Sequence, residues 1–381
     1  MDFTISEEQS AIINSVDKFL AQNLSPLDQI QYDKRETAPY HLMPKMAELG
    51  LFGMPFPEKY KGSNTNWDTI GLIQEHMGEK AYMAASLLNR TLGFGGMAIL
   101  EFGSNDQKDQ LIPEIIAGKM LFSLALSEPG AGSDAGAIVT KASKTSSNTW
   151  CIKGHKVWVS DAAESKFIIV ACRTDPNSKG HKGISLFLVK PDTPGLVMTK
   201  TQKVGTNWMP SYELTFNDIE LSSEYLLGNE NFGFTHLMTI LHFARASMAA
   251  SVSGLAQRAV NIALDHTKQR YQFGKPLSEN QVIRHRLVDM QLRVDQSRLM
   301  AWYLAWMIKE NKECLRYAAE AKVIATETLN FVTDAGMQIL ASAGYDSDSE
   351  MQRIWRDGRL YTFGEGANEI QRNIIAKEIF V

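Results

Sequence analysis

The sequence predicts a three-part chain of mixed α and β structure: an N-terminal helical domain, a middle antiparallel β-barrel or sandwich domain, and a C-terminal four-helix bundle. Three observations carry this expectation. Apolar residues at helical spacing dominate the first third, short β-type runs separated by turns fill roughly residues 121–228, and long apolar helical stripes return from Phe234. The domains are accordingly placed at residues 1–121, 122–231 and 232–381.

Each element has a local reason. Ser6 and Gln9 stand at capping-box spacing, and Ile12, Ile13, Val16, Phe19 and Leu20 follow on one helical face. Residues 44–51 read as a second short helix ended by Gly53 and Pro55, and residues 58–64 as a loop. Residues 68–100 read as one or two apolar helices interrupted by Gly93, Gly95 and Gly96. A helix over 107–116 is closed by Gly118. Residues 150–152, 157–159, 167–172 and 184–189 are strand candidates, and Tyr212, Leu214 and Phe216 alternate with polar neighbours at the period of a half-buried strand. No long helix separates these strands, which favours antiparallel pairing. In the last third, Ile283, Leu287, Met290 and Val294 form a core-facing stripe, and residues 318–340 continue the pattern.

Composition narrows the function. The chain has 381 residues, 44% hydrophobic and 22% charged, as in soluble globular proteins with a large core. A formal net charge of -4 gives no basic footprint, so no nucleic-acid partner is expected. Cys151, Cys172 and Cys314 are scattered without metal-ligand spacing, so no metal and a reducing compartment are expected. The opening residues lack a basic region and the apolar runs are too short to cross a bilayer, so a cytoplasmic or organelle-matrix location without a membrane span is expected.

Three stretches carry candidate chemistry. Glu365 lies between Gly364 and Gly366, where missing Cβ atoms let a ligand approach the backbone and partial burial would raise the carboxyl toward a useful base. A plain acidic first-turn residue at a helix start fits the same residues. Residues 128–134 (EPGAGSD) form a tight turn whose N–H groups suit an anion or a flavin edge, or an elaborate β-turn alone. Arg270 and Phe273, just after a helix, suit a phosphate and a ring; equally, Arg270 is a C-terminal cation with Gly274 as the cap.

Taken together, in order and spacing, these elements resemble the acyl-CoA dehydrogenase family over nearly the whole chain. Residues 127–134 are similar to its TEPGAGSD signature with Ser127 for Thr, and residues 155–160 to its G-x-K-x-W-I-[ST] strand. Residues 270–274 resemble R-x-x-F-G with Gln281 downstream, residues 338–344 resemble Q-x-x-G-G-x-G, and residues 365–372 resemble EGT-x-x-IQR. Residues 3–9 and 102–112 read like the family's start and pre-barrel segments.

The resemblance implies FAD lying extended between the β-domain and the bundle. Leu126, Ser127, Gly132, Ser133, Trp158, Val159 and Ser160 would line the isoalloxazine. Arg270, Phe273, Gln281, Gln338 and Ser342 would reach the ADP half from an adjacent subunit, with Ala367 and Asn368 also near the cofactor. Ser133, His242, Arg245 and Gly366 would contact substrate. It further implies a homo-oligomer, a dimer at least and commonly a tetramer, and an acyl-CoA or acyl-carrier thioester as substrate. Glu365 would take the α-proton while the β-hydrogen leaves as hydride to flavin N5, with electron-transfer flavoprotein as acceptor. A carrier-protein-linked dehydrogenase and an oxygen-reactive oxidase are alternatives on the same fold. Some members place the base just before the helix arginine; here that residue is Ala244, which leaves Glu365. The departures are Ala341 and Ser342 for the paired glycines, Ala367 for the threonine, and His242 where an aspartate is frequent.

Overall fold

The computed structural model describes residues 4–146 and 148–380, so Phe3 of the family-like opening lies outside the described residues. Helix α1 (Glu7–Asn23) begins at the expected capping box: Gln9 N–H donates to Ser6 Oγ (3.1 Å) and Ser6 N–H to Gln9 Oε1 (2.9 Å). Helix α2 (Pro26–Lys34), absent from the sequence reading, starts by the same device at Ser25 and Asp28, with proline in its first turn. Helix α3 (Met43–Glu48) and the long α4 (Trp67–Asn89) follow. The glycines after α4 do not interrupt the helix. Residues Arg90–Gly96 continue it as a π-helical segment into α5 (Met97–Phe102), and α6 (Asn105–Ile116) closes the domain. A Cβ on Gly95 would stand 2.0 Å from the Phe122 ring. That glycine accommodates packing against the sheet rather than opening room for a ligand.

The middle region is one eight-stranded sheet of β1 (Phe122–Ala125), β2 (Lys141–Ser146), β3 (Thr149–Ser160), β4 (Phe167–Arg173), β5 (Ile184–Val189), β6 (Leu196–Thr201), β7 (Ser211–Ser222) and β8 (Leu226–Leu227). The order is β6-β7-β3-β2-β4-β5-β8, with β1 paired in parallel to β4. Of the expected barrel or sandwich, the chain forms an open, mostly antiparallel sheet, and its edges β6 and β8 do not pair with each other. The reason lies in β4 and β5, which are buried on both faces. Phe167, Ile169, Ile184 and Leu186 join the helical core, whereas Ile168, Val170, Phe187 and Val189 build a second core with β3 and β7. Helices cover one face, so closure is not needed to bury it.

The C-terminal region begins with α7 (Gly233–Gln269), followed by the small hairpin β9 (Tyr271–Gln272) and β10 (Lys275–Pro276). Then come α8 (Gln281–Lys309), α9 (Leu315–Leu340), the single turn α10 (Ser342–Tyr345), α11 (Glu350–Tyr361) and α12 (Asn368–Ile379). Three helices are long, as the stripes predict. The fourth place in the bundle is shared by α11 and α12, which lie along α9 and are joined by residues 362–367. Helix α4 packs backbone to backbone on α7: a Cβ on Gly78 would fall 2.0 Å from the Ser251 carbonyl oxygen, and one on Gly254 1.9 Å from that of Glu75. No larger residue fits at either crossing point.

Candidate active site

The joint between α11 and α12 carries Glu365 in a left-handed backbone conformation (φ 55°), followed by Gly366 at φ 92°. A non-glycine residue held there costs roughly 1–3 kcal/mol and persists only when its surroundings enforce it. Two cations do so. The guanidinium of buried Arg245, from α7, donates through Nη2 to the Glu365 carbonyl (3.2 Å). The ammonium of fully buried Lys322, from α9, donates to the Gly366 carbonyl (2.9 Å). The Glu365 N–H is left without an acceptor among the described residues. Its carboxyl oxygen Oε2 is sealed from solvent and equally without a partner. Burial pushes the carboxyl up to about 7, with the Arg245 and Lys322 charges pulling the other way. This is a free carboxylate poised near neutrality.

On β3, Trp158 sits at φ 61° where the pairing with β7 gains one residue between Lys156 and Val159. The bulge turns the indole outward, 61% exposed, while Val159 stays in the core. Two bonds bring this bulge to the 126–134 turn: Lys156 Nζ donates to the Leu126 carbonyl (2.9 Å) and Val157 N–H to that of Ser127 (3.0 Å). Ser160 is tied in through its carbonyl, which accepts from Ser123 Oγ (2.7 Å). Gly132 and Ser133 are exposed, and a Cβ on Gly132 would meet nothing within 4 Å. An open turn beside an uncovered indole face suits a planar aromatic ring.

Glu128, which the sequence reading did not single out as a site residue, anchors this turn. Its carboxylate accepts from Val139 N–H (2.7 Å), Thr140 N–H (3.0 Å) and the buried Lys156 ammonium (2.8 Å). Burial pushes the carboxyl up, but Lys156 and these bonds prevail and hold it below the ordinary value of 4.5.

The remaining sequence-chosen residues fall elsewhere. His242 lies three residues before Arg245 on α7, with Nε2 buried and unpartnered; burial, helped by Arg245, pushes the imidazole down to about 4, so it is neutral. Ala367 caps α12, and the Asn368 side chain points into the protein, meeting Lys322 and Thr326 of α9. Arg270, Phe273 and Gln281 are exposed around the β9–β10 hairpin, with Phe273 98% exposed at φ 54°. The Arg270 guanidinium has no hydrogen bond or ion pair among the described residues. Gln338 and Ser342 line a cavity of about 400 Å³ at the end of α9 with Ala341, itself at φ 50°. Within one chain these last five residues do not join the Glu365 site. Lys322 was missed by the sequence reading, although a lone lysine inside the apolar stripe of α9 (Ala318, Ala319, Ala321, Val323, Ala325) is a signal for a buried charge with a task.

Comparison with known proteins gives three family-model matches: acyl-CoA dehydrogenase N-terminal domain over residues 6–119, middle domain over 123–219 and C-terminal domain over 231–380. The mitochondrial short-chain specific acyl-CoA dehydrogenase of Bos taurus is 35% identical across 94% of this chain and 86% of its own. Among solved structures, butyryl-CoA dehydrogenase from Megasphaera elsdenii superposes with a TM-score of 0.95 at 30% identity, covering 100% of both chains. The prolyl acyl carrier protein oxidase AnaB superposes at 0.94 and 27% identity, covering 99% of this chain and 100% of its own.

Proposed function

Because the chain belongs to the acyl-CoA dehydrogenase family, and is thereby a flavin-dependent oxidoreductase, we propose that it oxidises the α,β carbon–carbon bond of an acyl thioester with Glu365 as the base. The observation that carries this reading is the Glu365 carboxyl itself: shielded, unpartnered at Oε2, and titrating near neutrality. FAD is the cofactor. The open turn of residues 126–134 and the exposed Trp158 indole fit its ring, with Leu126, Ser127, Gly132, Ser133, Val159 and Ser160 around them. Bound there, FAD supplies the hydride acceptor. The protein supplies the rest. The Glu365 N–H, having no acceptor among the described residues, donates to the thioester carbonyl and so stabilises the negative charge that develops as the α-carbon loses its proton. The Glu365 carboxylate receives that proton, and the shielded surroundings exclude water that would otherwise compete.

The neutral His242 and the Arg245 guanidinium, together with Ser133 and Gly366, border the thioester. Arg270, Phe273, Gln281, Gln338 and Ser342 serve the adenosine half of a cofactor held by a second copy of the chain, with Ala367 and Asn368 at the joint. Two features support an oligomer, taken here as a dimer or dimer of dimers. Phe273 is almost wholly uncovered in one chain, and Val288, Leu292 and Leu299 make an exposed apolar face on α8. Electron-transfer flavoprotein is the proposed acceptor.

A panel of acyl-CoA and acyl-carrier thioesters, mixed anaerobically with the holoenzyme, tests the function. At least one is expected to bleach the flavin; none doing so would reject dehydrogenation. Admitting air to the reduced enzyme then separates dehydrogenase from oxidase, since rapid peroxide formation marks the latter. A second expected result concerns pH. The reactive form is the carboxylate, so the rate of flavin reduction should fall as pH drops through about 7. A rate independent of pH between 6 and 8 would remove Glu365 from the proton-transfer step.

A further inference from the structure

We propose that Lys322 is a positioning residue for the base: from the middle of α9 its ammonium binds the Gly366 carbonyl and the Asn368 side chain, fixing the left-handed turn on which Glu365 sits. The inference rests on Glu365 being the base. Lys322 is 0% exposed, and its Nζ lies 2.9 Å from the Gly366 oxygen and 2.7 Å from Asn368 Oδ1. A buried ammonium is tolerated only with close acceptors. Here the acceptors are a peptide carbonyl and an amide, and no carboxylate forms an ion pair with it among the described residues.

The Asn368 amide is itself held, donating to Thr326 Oγ1 (3.0 Å) and Glu327 Oε1 (3.3 Å). The Gly366 carbonyl takes a second donor, Gln371 Nε2 (3.2 Å). With Arg245 on the Glu365 carbonyl, two successive carbonyls are drawn to cations from two different helices. The two peptide units that follow Glu365 are thereby held in place.

The Lys322 ammonium, which burial pulls down to about 8 and Glu365 supports, also acts on the carboxyl. The titratable groups around the joint are Arg245 and His242 of α7, Tyr82 of α4, Lys322 and Glu327 of α9, Asp357 and Tyr361 of α11, and Glu369 of α12. Of these, Arg245 and Lys322 pull the Glu365 carboxyl down against its burial.

Infrared titration of the holoenzyme tests the role without depending on turnover. The carboxyl band of Glu365, identified by its loss in Glu365→Gln, is followed against pH in wild type and in Lys322→Gln, which is one atom shorter but keeps an N–H donor and removes the charge. The midpoint is expected to rise by about one pH unit in Lys322→Gln, with the acid limb of flavin reduction moving alongside it. A midpoint unmoved in a flavin-replete variant overturns the proposal. Should Lys322→Gln not fold, Lys322→Arg decides: a wild-type midpoint with kcat several-fold lower supports positioning by the ammonium, and unchanged kcat overturns it. Full turnover in Glu365→Gln would instead reject the base itself, a failure distinct from that of Lys322.

Discussion

Replacing Glu365 with glutamine is expected to leave the flavin bound and to slow dehydrogenation by roughly a hundredfold or more, the scale on which general-base catalysis contributes. The substitution is nearly isosteric, and the two cations that shape the turn bind backbone carbonyls rather than the carboxylate. The geometry should therefore survive while the proton acceptor is lost. Stopped-flow reduction of the flavin by the best thioester of the panel measures the effect, and near-normal turnover would reject the assignment.

The same variant carries a stability signature of known sign. The carboxyl in the folded protein titrates near 7, above its ordinary 4.5, so the folded state holds the proton more tightly than the unfolded one. Its contribution to stability is full below about 4.5 and declines as pH rises through 7. Glu365→Gln should accordingly melt higher than wild type at pH 8, with little difference at pH 4. A carboxyl kept at some cost in stability is the relation expected of the proposed base.

Lys156→Met is expected to destabilise the protein by roughly 3–5 kcal/mol, because it leaves the Glu128 carboxylate buried without its cation. The side chains of this pair are 0% and 3% exposed, so solvent cannot replace the lost partner. The same lysine also binds the Leu126 carbonyl. Its removal should loosen the turn proposed for the flavin and release FAD more readily. Urea unfolding and the flavin-to-protein ratio after gel filtration measure the two effects. A stability loss under 1 kcal/mol with full flavin content would show the pair to be dispensable. Adding Glu128→Gln to Lys156→Met should recover part of the stability but not the flavin, since the bonds to Val139 and Thr140 weaken with the charge. The low-lying Glu128 carboxyl also sets an acid limit: its contribution is present above the ordinary 4.5 and is lost as pH falls below it.

Much of this was legible beforehand, and particular residues show why. The box at Ser6 and Gln9, the helix over 107–116 and the strand at 184–189 are local signals, and each appears where its residues place it. The box at Ser25 and Asp28 was equally local and went unread. The strands Lys141–Ser146 and Leu196–Thr201 were not legible, the first being mostly polar and the second opening on three consecutive apolar residues, so neither shows an alternating period. The sheet's open edge was hidden as well, because β4 takes β1, β2 and β5 as neighbours from distant parts of the chain.

At the site, the chemistry-bearing types and their spacing (Glu365 between glycines, Trp158 in its strand, Arg270 and Phe273 after a helix) were determined by the sequence alone. Only the tertiary structure decided what those types become. The carboxyl of Glu365 rises toward 7 because packing takes it out of water, and the turn that carries it is held at the Glu365 and Gly366 carbonyls by Arg245 and Lys322, 120 and 44 residues away. A charge's surroundings belong to the packing of remote segments, and burial, which no local run of residues encodes, sets the energy of every charge in the site.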